Sequence, residues 1–350
     1  MNKTIKILTI VLVLQALLVI LTNLEHFKTD SDKQQSRLLA FDWQQIDGFR
    51  ITGKESASVL LKKKSEHEWF IPNYYNLAVD NTKIDELLNK LKPLKTDWPV
   101  ATTEEASRRF EVSKENFQRQ IAFLQGETTK SNLLTGTSPG YRKVHARLDN
   151  QNAIYAIELS NFLASTNAED WLKKQLLAMD LNPVKKITVG DIQLTKADKE
   201  WILDGLSTDQ KLNQTKLQPL LDAITTFSVE AAFGPDATIV QNQPQIANVI
   251  FDFGAEQQQW SFYEPKEGAH LIVKSTQNPN YFKVNRAIAD KITTITREQL
   301  IEKATLQSTP VSDAPDQATT IESSEANIDL PAATSENPIL PKETSGPMAP

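Results

Sequence analysis

The chain has 350 residues, 40% apolar and 23% charged, which suits one large or two ordinary globular domains. Its formal charge of −6 argues against a partner held through nucleic-acid phosphates. It has no cysteine, which excludes disulfides, a thiolate nucleophile, Cys-ligated zinc and a lipidated N-terminal Cys.

Residues 1–6 carry Lys3 and Lys6, and residues 7–24 follow with 14 apolar side chains and no charge. A run of that length lies at the short end of what crosses a bilayer as a helix. It is longer than the apolar region of a secretory signal, and no small-residue cleavage site follows it. The expectation is an uncleaved, single-pass transmembrane anchor at 7–24, with a cleaved signal and a buried helix as alternatives. Lys28, Lys33 and Arg37 nearly balance the positive charge across the run. The short basic segment before it favours a cytoplasmic 1–6, a linker at 25–41 and a body outside the cytoplasm.

From residue 42 to 303 the chain reads as two copies of one unit. "EWFI" (68–71) and "EWIL" (200–203) align Trp69 with Trp201. Upstream of each lies a short strand-like stretch ending in glycine, "FRITG" (49–53) and "KITVG" (186–190). Downstream, Ile84, Leu87, Leu88 and Leu91 share the i, i+3, i+4, i+7 spacing of Leu217, Leu220, Leu221 and Ile224, which places four apolar side chains on one helix face. Thr82 is the expected cap of the first helix, and Pro219 suits only the start of the second. "RQIAFLQG" (119–126) then pairs with "NVIFDFG" (248–254), and "IYAIELSNFL" (154–163) with "YFKVNRAIADKI" (281–292). The expected organisation is two tandem homologous α+β modules, 42–181 and 182–303. Each has a mainly antiparallel sheet, an amphipathic helix and a closing helix. In the first module, strands are expected at 117–125, 130–136, 141–148 and 153–159. Tyr141, Lys143, His145 and Arg147 should lie on a wet face of that sheet, and a closing helix should span about 160–178. Residues 304–350 hold seven acids against one base and seven of the 17 prolines, with no aromatic residue. That composition predicts a disordered acidic tail.

The order of these elements resembles the bacterial domain-of-unknown-function family DUF4340. The likeness is carried by "EWFIPNYYNLAVDNTKIDELLNKLKPL", "LLTGTSPGYRKVHARL" and "AIYAIEL", with "RRFEVSK" (108–114) where the family usually has a Tyr-Gly-Leu element. It covers about 45–180 well and 183–300 more weakly. The resemblance implies a membrane-anchored protein, in some cases beside gliding-type ABC transporter components. It also implies an accessory role outside the membrane, and it carries no chemistry or catalytic residue.

The candidates for chemistry are sparse. "GTSPG" (136–140) fits the G-x-S-x-G pattern, but strand-like alternation follows it where a nucleophile elbow needs a helix, so Ser138 reads as a turn residue. His26, His67, His145 and His270 form no local ligand pair. His145 and His270 recur at equivalent places, where a polar sheet position explains them better than a shared site. Glu66/Glu68 and Glu104/Glu105 sit in charged, surface-like contexts. "WFIPNYY" (69–75) has four aromatics, of which Tyr74 and Tyr75 have no counterpart in the second copy and are the interaction candidates. The expectation is therefore a non-enzymatic protein of the bacterial inner membrane with its body in the periplasm. It needs no cofactor, metal or nucleic acid, and it serves a membrane machine such as an ABC transporter. The alternative is an envelope module that binds glycan or peptide, and a hydrolase is a third reading.

Overall fold

In a computed structural model, residues 11–15, 36–266 and 268–304 are described. The expected anchor at 7–24 and the acidic tail lie outside these residues, apart from helical residues 11–15 and Ala304. Among the described residues, no helix is long and apolar enough to cross a membrane.

Short, β-branched and aromatic stretches alternate with turns, and they pair into sheets. The first half runs β1 (Gly48–Gly53), β2 (Ser58–Ser65), β3 (Glu68–Ile71), β4 (Leu77–Ala78), α1 (Asn81–Leu91), α2 (Glu104–Arg109), β5 (Arg119–Gln125), β6 (Thr128–Thr135), β7 (Val144–Leu148) and β8 (Tyr155–Ile157). Its eight strands form one antiparallel sheet in the order β4-β3-β2-β1-β5-β6-β7-β8. The second half runs β9 (Lys186–Val189), β10 (Ile192–Ala197), β11 (Glu200–Leu203), β12 (Gln210–Leu212), α3 (Gln214–Thr225), β13 (Val229–Gly234), β14 (Gln245–Asp252), β15 (Gln257–Tyr263), β16 (His270–Ser275), β17 (Tyr281–Asn285), α4 (Arg286–Thr293) and β18 (Ile301–Lys303). It forms a second eight-stranded antiparallel sheet, β11-β10-β9-β14-β15-β16-β17-β13, while β12 and β18 make a separate two-stranded ribbon. The architecture is sheet-rich α+β.

The two tryptophans occupy matching strands. In β3, Trp69 and Ile71 point inward, and in β11, Trp201 and Leu203 do so, as the two-residue period of a strand requires. Trp69 stacks on Phe49 with ring centroids 5.3 Å apart. Both amphipathic helices form where the apolar spacing places them. α1 buries Ile84, Leu87 and Leu91, and α3 buries Leu217, Leu220, Ala223 and Ile224. The cap of α1 is Asp80, whose carboxylate accepts from the Thr82 N–H at 3.0 Å. This corrects the expectation of Thr82, because a residue preceding the helix with extended backbone can turn its side chain onto the first free N–H groups. Asn213 caps α3, and Pro219 stands inside that helix, not at its start.

Two further expectations are corrected. The first half has no closing helix at 160–178. Ser160 and Asn167 instead cap two short 3-10 turns, Asn161–Leu163 and Ala168–Asp170. The chain that follows pairs its backbone with the end of β4. Val79 and Leu172 form an antiparallel bridge, Lys173 N–H donates to Ala78 O, and Asp80 N–H donates to Trp171 O. These long-range bonds take up the Lys173 N–H and the Trp171 carbonyl, which a helix would have paired locally. A helix does close the second half, as α4.

The wet face of β7 is likewise covered. α2 and the loop after it cross the sheet and bury Ala106 and Val112 against Leu134 and Ile154, with Phe110 and Phe117 packed alongside. His145 and Arg147 are therefore only 8% and 7% exposed.

The two halves share a seam. The larger core of the second half takes in Leu77, Leu172, Leu177 and Met179, and Tyr74 packs on both cores. The described residues through Ala304 form one compact unit.

Candidate ligand-binding cleft

Tyr74 and Tyr75 sit on the seam. The turn after β3 holds Tyr75 and Asn76 at φ 56° and 55°, a left-handed conformation costly for a bulky side chain. That turn drives Tyr74 toward the second half. Its hydroxyl donates to Ala232 O at 3.1 Å and accepts from the Ala232 N–H at 2.6 Å. Burial raises the Tyr74 pKa above its ordinary value of 10.0. Tyr75 is 45% exposed, and its ring packs where a side chain on Gly234 would stand. A second link lies beside them. Lys174 Nζ donates to Glu169 O at 2.8 Å and to Glu230 O at 2.6 Å, joining the Ala168–Asp170 turn to β13. Desolvation lowers its pKa, against the pull of Glu169, Asp170 and Glu230.

The groups that suggested chemistry have structural uses. Gly136 is required by a close approach, since a Cβ there would collide with the carbonyl oxygens of Phe110 and Glu111. Ser138 Oγ lies 2.7 Å from both Gly140 O and Lys143 O, so its single proton serves the turn. His145 stacks on Phe110 at 4.0 Å, and its Nδ1 is 3.0 Å from Thr137 O, which calls for the ring proton on that nitrogen. Desolvation lowers its pKa, helped by the nearby Arg109 cation. His270 lies in β16 of the other sheet. Glu104 and Glu68 face Arg108 and Lys64 as exposed i,i+4 pairs. Among the described residues, no group of three His, Asp or Glu is placed to hold a metal.

Two adjoining clefts of about 580 and 570 Å³ lie at one end of the first sheet. Those volumes fall within the range of small-ligand sites. They share Tyr141, Arg142, Lys143, Ser160 and Phe162 in their walls. Phe162 is 93% exposed and Tyr141 83%, the two most exposed large apolar side chains among the described residues. Both are held from behind. Ser160 caps the turn carrying Phe162, which packs against α1. Asn161 in the same turn donates to Gln118 Oε1 at 2.8 Å and to Gly136 O at 3.0 Å, and accepts from Thr135 at 2.5 Å. Tyr141 stands in the turn that Ser138 ties. Next to it Arg142 takes φ 56°, with its guanidinium 4.9 Å from the Tyr141 ring. Lys90 and Glu86 from α1 and Glu158 after β8 complete the rim.

The sequence marks neither Phe162 nor Tyr141 as a binding residue, although it places Tyr141 on a wet sheet face. Phe162 falls at an apolar position of an expected helix, and Tyr141 at the start of an expected strand. The tied turns hold both rings in solvent.

Comparison with known proteins adds one finding. The family described as "Domain of unknown function (DUF4340)" matches residues 69–244. No curated protein and no solved structure matches the chain.

Proposed function

The chain belongs to the DUF4340 family, and on that premise we propose that it is a non-enzymatic, single-pass protein of the bacterial inner membrane. Residues 7–24 anchor it, and the body faces the periplasm as two tandem homologous modules, 42–181 and 182–303. It acts as an accessory or scaffold of a membrane machine such as an ABC transporter.

One observation carries this reading. The side chains best suited to chemistry, Ser138 and His145, are engaged in turn and core contacts, whereas Tyr141 and Phe162 are held out in solvent. Rigid exposed aromatics are the usual anchors of recognition. Seven strands follow the same order in the two sheets, β3-β2-β1-β5-β6-β7-β8 and β11-β10-β9-β14-β15-β16-β17, with Trp69 and Trp201 in corresponding strands, which supports the two-module description, while β4 and β13 at the sheet ends have no match.

A photo-crosslinking side chain at position 162 of the full-length protein in its native membranes tests the proposal. The expected product joins it to an integral membrane subunit. Recovery of no membrane partner, together with turnover of a small substrate that a single polar substitution abolishes, would sink the reading in favour of a hydrolase.

The adjoining clefts favour a second reading, an envelope module that binds glycan or peptide. In that case position 162 labels no protein subunit but is shielded by the bound ligand.

A further inference from the structure

We propose that the paired clefts between Tyr141 and Phe162 bind an acidic saccharide, a short sugar chain bearing carboxylate groups. The assignment rests on the ligand-binding reading above and names its ligand class. It requires neither the membrane anchor nor a transporter.

The two rings come first. Each is almost wholly exposed, so it offers a flat platform and not a pocket for an inserted side chain. The C–H face of a sugar ring covers such a platform, while its rim of hydroxyls needs polar partners on either side. The clefts supply both kinds. Lys90, Arg142 and Lys143 donate, and Glu86 and Glu158 accept. None of the five is in a salt bridge with another described residue, as is also true of other exposed charges such as Lys83 and Asp85.

Charge then narrows the class. With Arg119 in the wall of the second cleft, four cations stand against two carboxylates, a balance that attracts an anion.

A peptide fits less well. Strand addition needs a long bare sheet edge, but Ala101 bridges Ile154 just before the edge strand, which leaves only Tyr155–Ile157 of β8 for an added strand. The backbone oxygens of the cleft turns already have donors: Gly136 O accepts from Asn161, Gly140 O from the Lys143 N–H, and Lys143 O from Ser138.

Arg142 adds a further mark. It stands at φ 56°, where a glycine would be unstrained. Strain of this kind collects at ligand clamps. Here it holds a guanidinium 4.9 Å from the Tyr141 ring centroid, at the cleft wall.

The test is calorimetric titration of the full chain in detergent with three probes. These are trigalacturonate, the neutral galactose trisaccharide and tetraglutamate. Trigalacturonate should bind, with affinity reduced about tenfold in Tyr141→Ala and in Phe162→Ala, because each platform is lost while the charge is kept. The neutral trisaccharide should bind about fivefold more weakly or worse, and added salt should narrow that gap. Tetraglutamate should not compete. Both aromatic substitutions fall at solvent-exposed positions, so unchanged thermal midpoints are expected, and Asn161→Ala provides a variant in which the Phe162 turn loosens without loss of the ring. Equal binding of tetraglutamate, or trigalacturonate binding indifferent to both aromatic substitutions, overturns the assignment as simple charge attraction. No binding of either saccharide, with a protein crosslink from position 162, overturns it while leaving the accessory role standing. No binding and no crosslink remove both.

Discussion

Tyr74 shows how one hydroxyl can tie two sheets. It meets both the N–H and the C=O of Ala232, a residue 158 positions further along the chain. Tyr74→Phe keeps the ring packing but leaves two backbone groups half-buried without their partner, at about 1–2 kcal/mol of stability. The pH dependence carries a sign that can be checked. The folded protein holds the Tyr74 proton more tightly than the unfolded chain, because burial disfavours the phenolate. Its stabilising contribution is full below the ordinary value of 10.0 and is lost as pH rises through the folded value. Urea midpoints should therefore show Tyr74→Phe weaker than the parent near neutral pH, with the gap narrowing as pH climbs past 10.0. A gap that stays constant to high pH would show that the hydroxyl is not held as described. Tyr74 and Tyr75 stand out in the sequence because no tyrosines follow Trp201 as they follow Trp69. What they touch, β13 of the other half, depends on a backbone meeting that no local pattern records.

At the scale of elements, the helices follow their apolar spacing and the turns follow their capping residues. Thr82 looks like a cap because it precedes the apolar face, yet Asp80 performs the task. Asp80→Ala should cost about 1 kcal/mol in chemical denaturation, while Thr82→Ala should cost little, since only the backbone N–H of Thr82 is used. An equal cost for the two would reverse the assignment. The 160–178 segment failed as a helix for a related reason. "AEDWLKKQLLAM" has helical composition, but Ser160 and Asn167 offer tight local caps, and Leu172 finds Val79 across the sheet edge. A helix is weakly favoured by its own sequence, so two ladder bonds and burial of Trp171 and Leu172 decide the outcome. The same event created the candidate cleft, because a continuous helix would not have presented Phe162 on a tied turn.

For the molecule as a whole, the seam makes the halves interdependent. Leu77, Leu172, Leu177 and Met179 precede residue 182 in sequence but belong to the core of the second half. Burying each contributes about 1.5–3 kcal/mol, a large share of the roughly 5–15 kcal/mol that holds a domain folded. A fragment beginning at 182 should therefore unfold at lower urea and less cooperatively than one beginning at 171, which regains three of the four side chains. Equal midpoints for the two fragments would mean that the seam contributes nothing.

The sequence by itself determined the strand-and-helix rhythm, the twin tryptophan strands and the inward faces of both amphipathic helices. Those features rest on periodicity, and periodicity is a local property that survives without knowledge of neighbours. The tertiary structure alone decided which polar groups are occupied and which aromatics are left bare. His145 is buried because α2 and its loop cross the sheet, and Tyr74 is engaged because β13 arrives at the seam. Phe162 is exposed because a turn replaced a helix. Each of these outcomes depends on contacts between segments far apart in the chain. There, burial and hydrogen bonding outweigh the preferences a residue shows on its own.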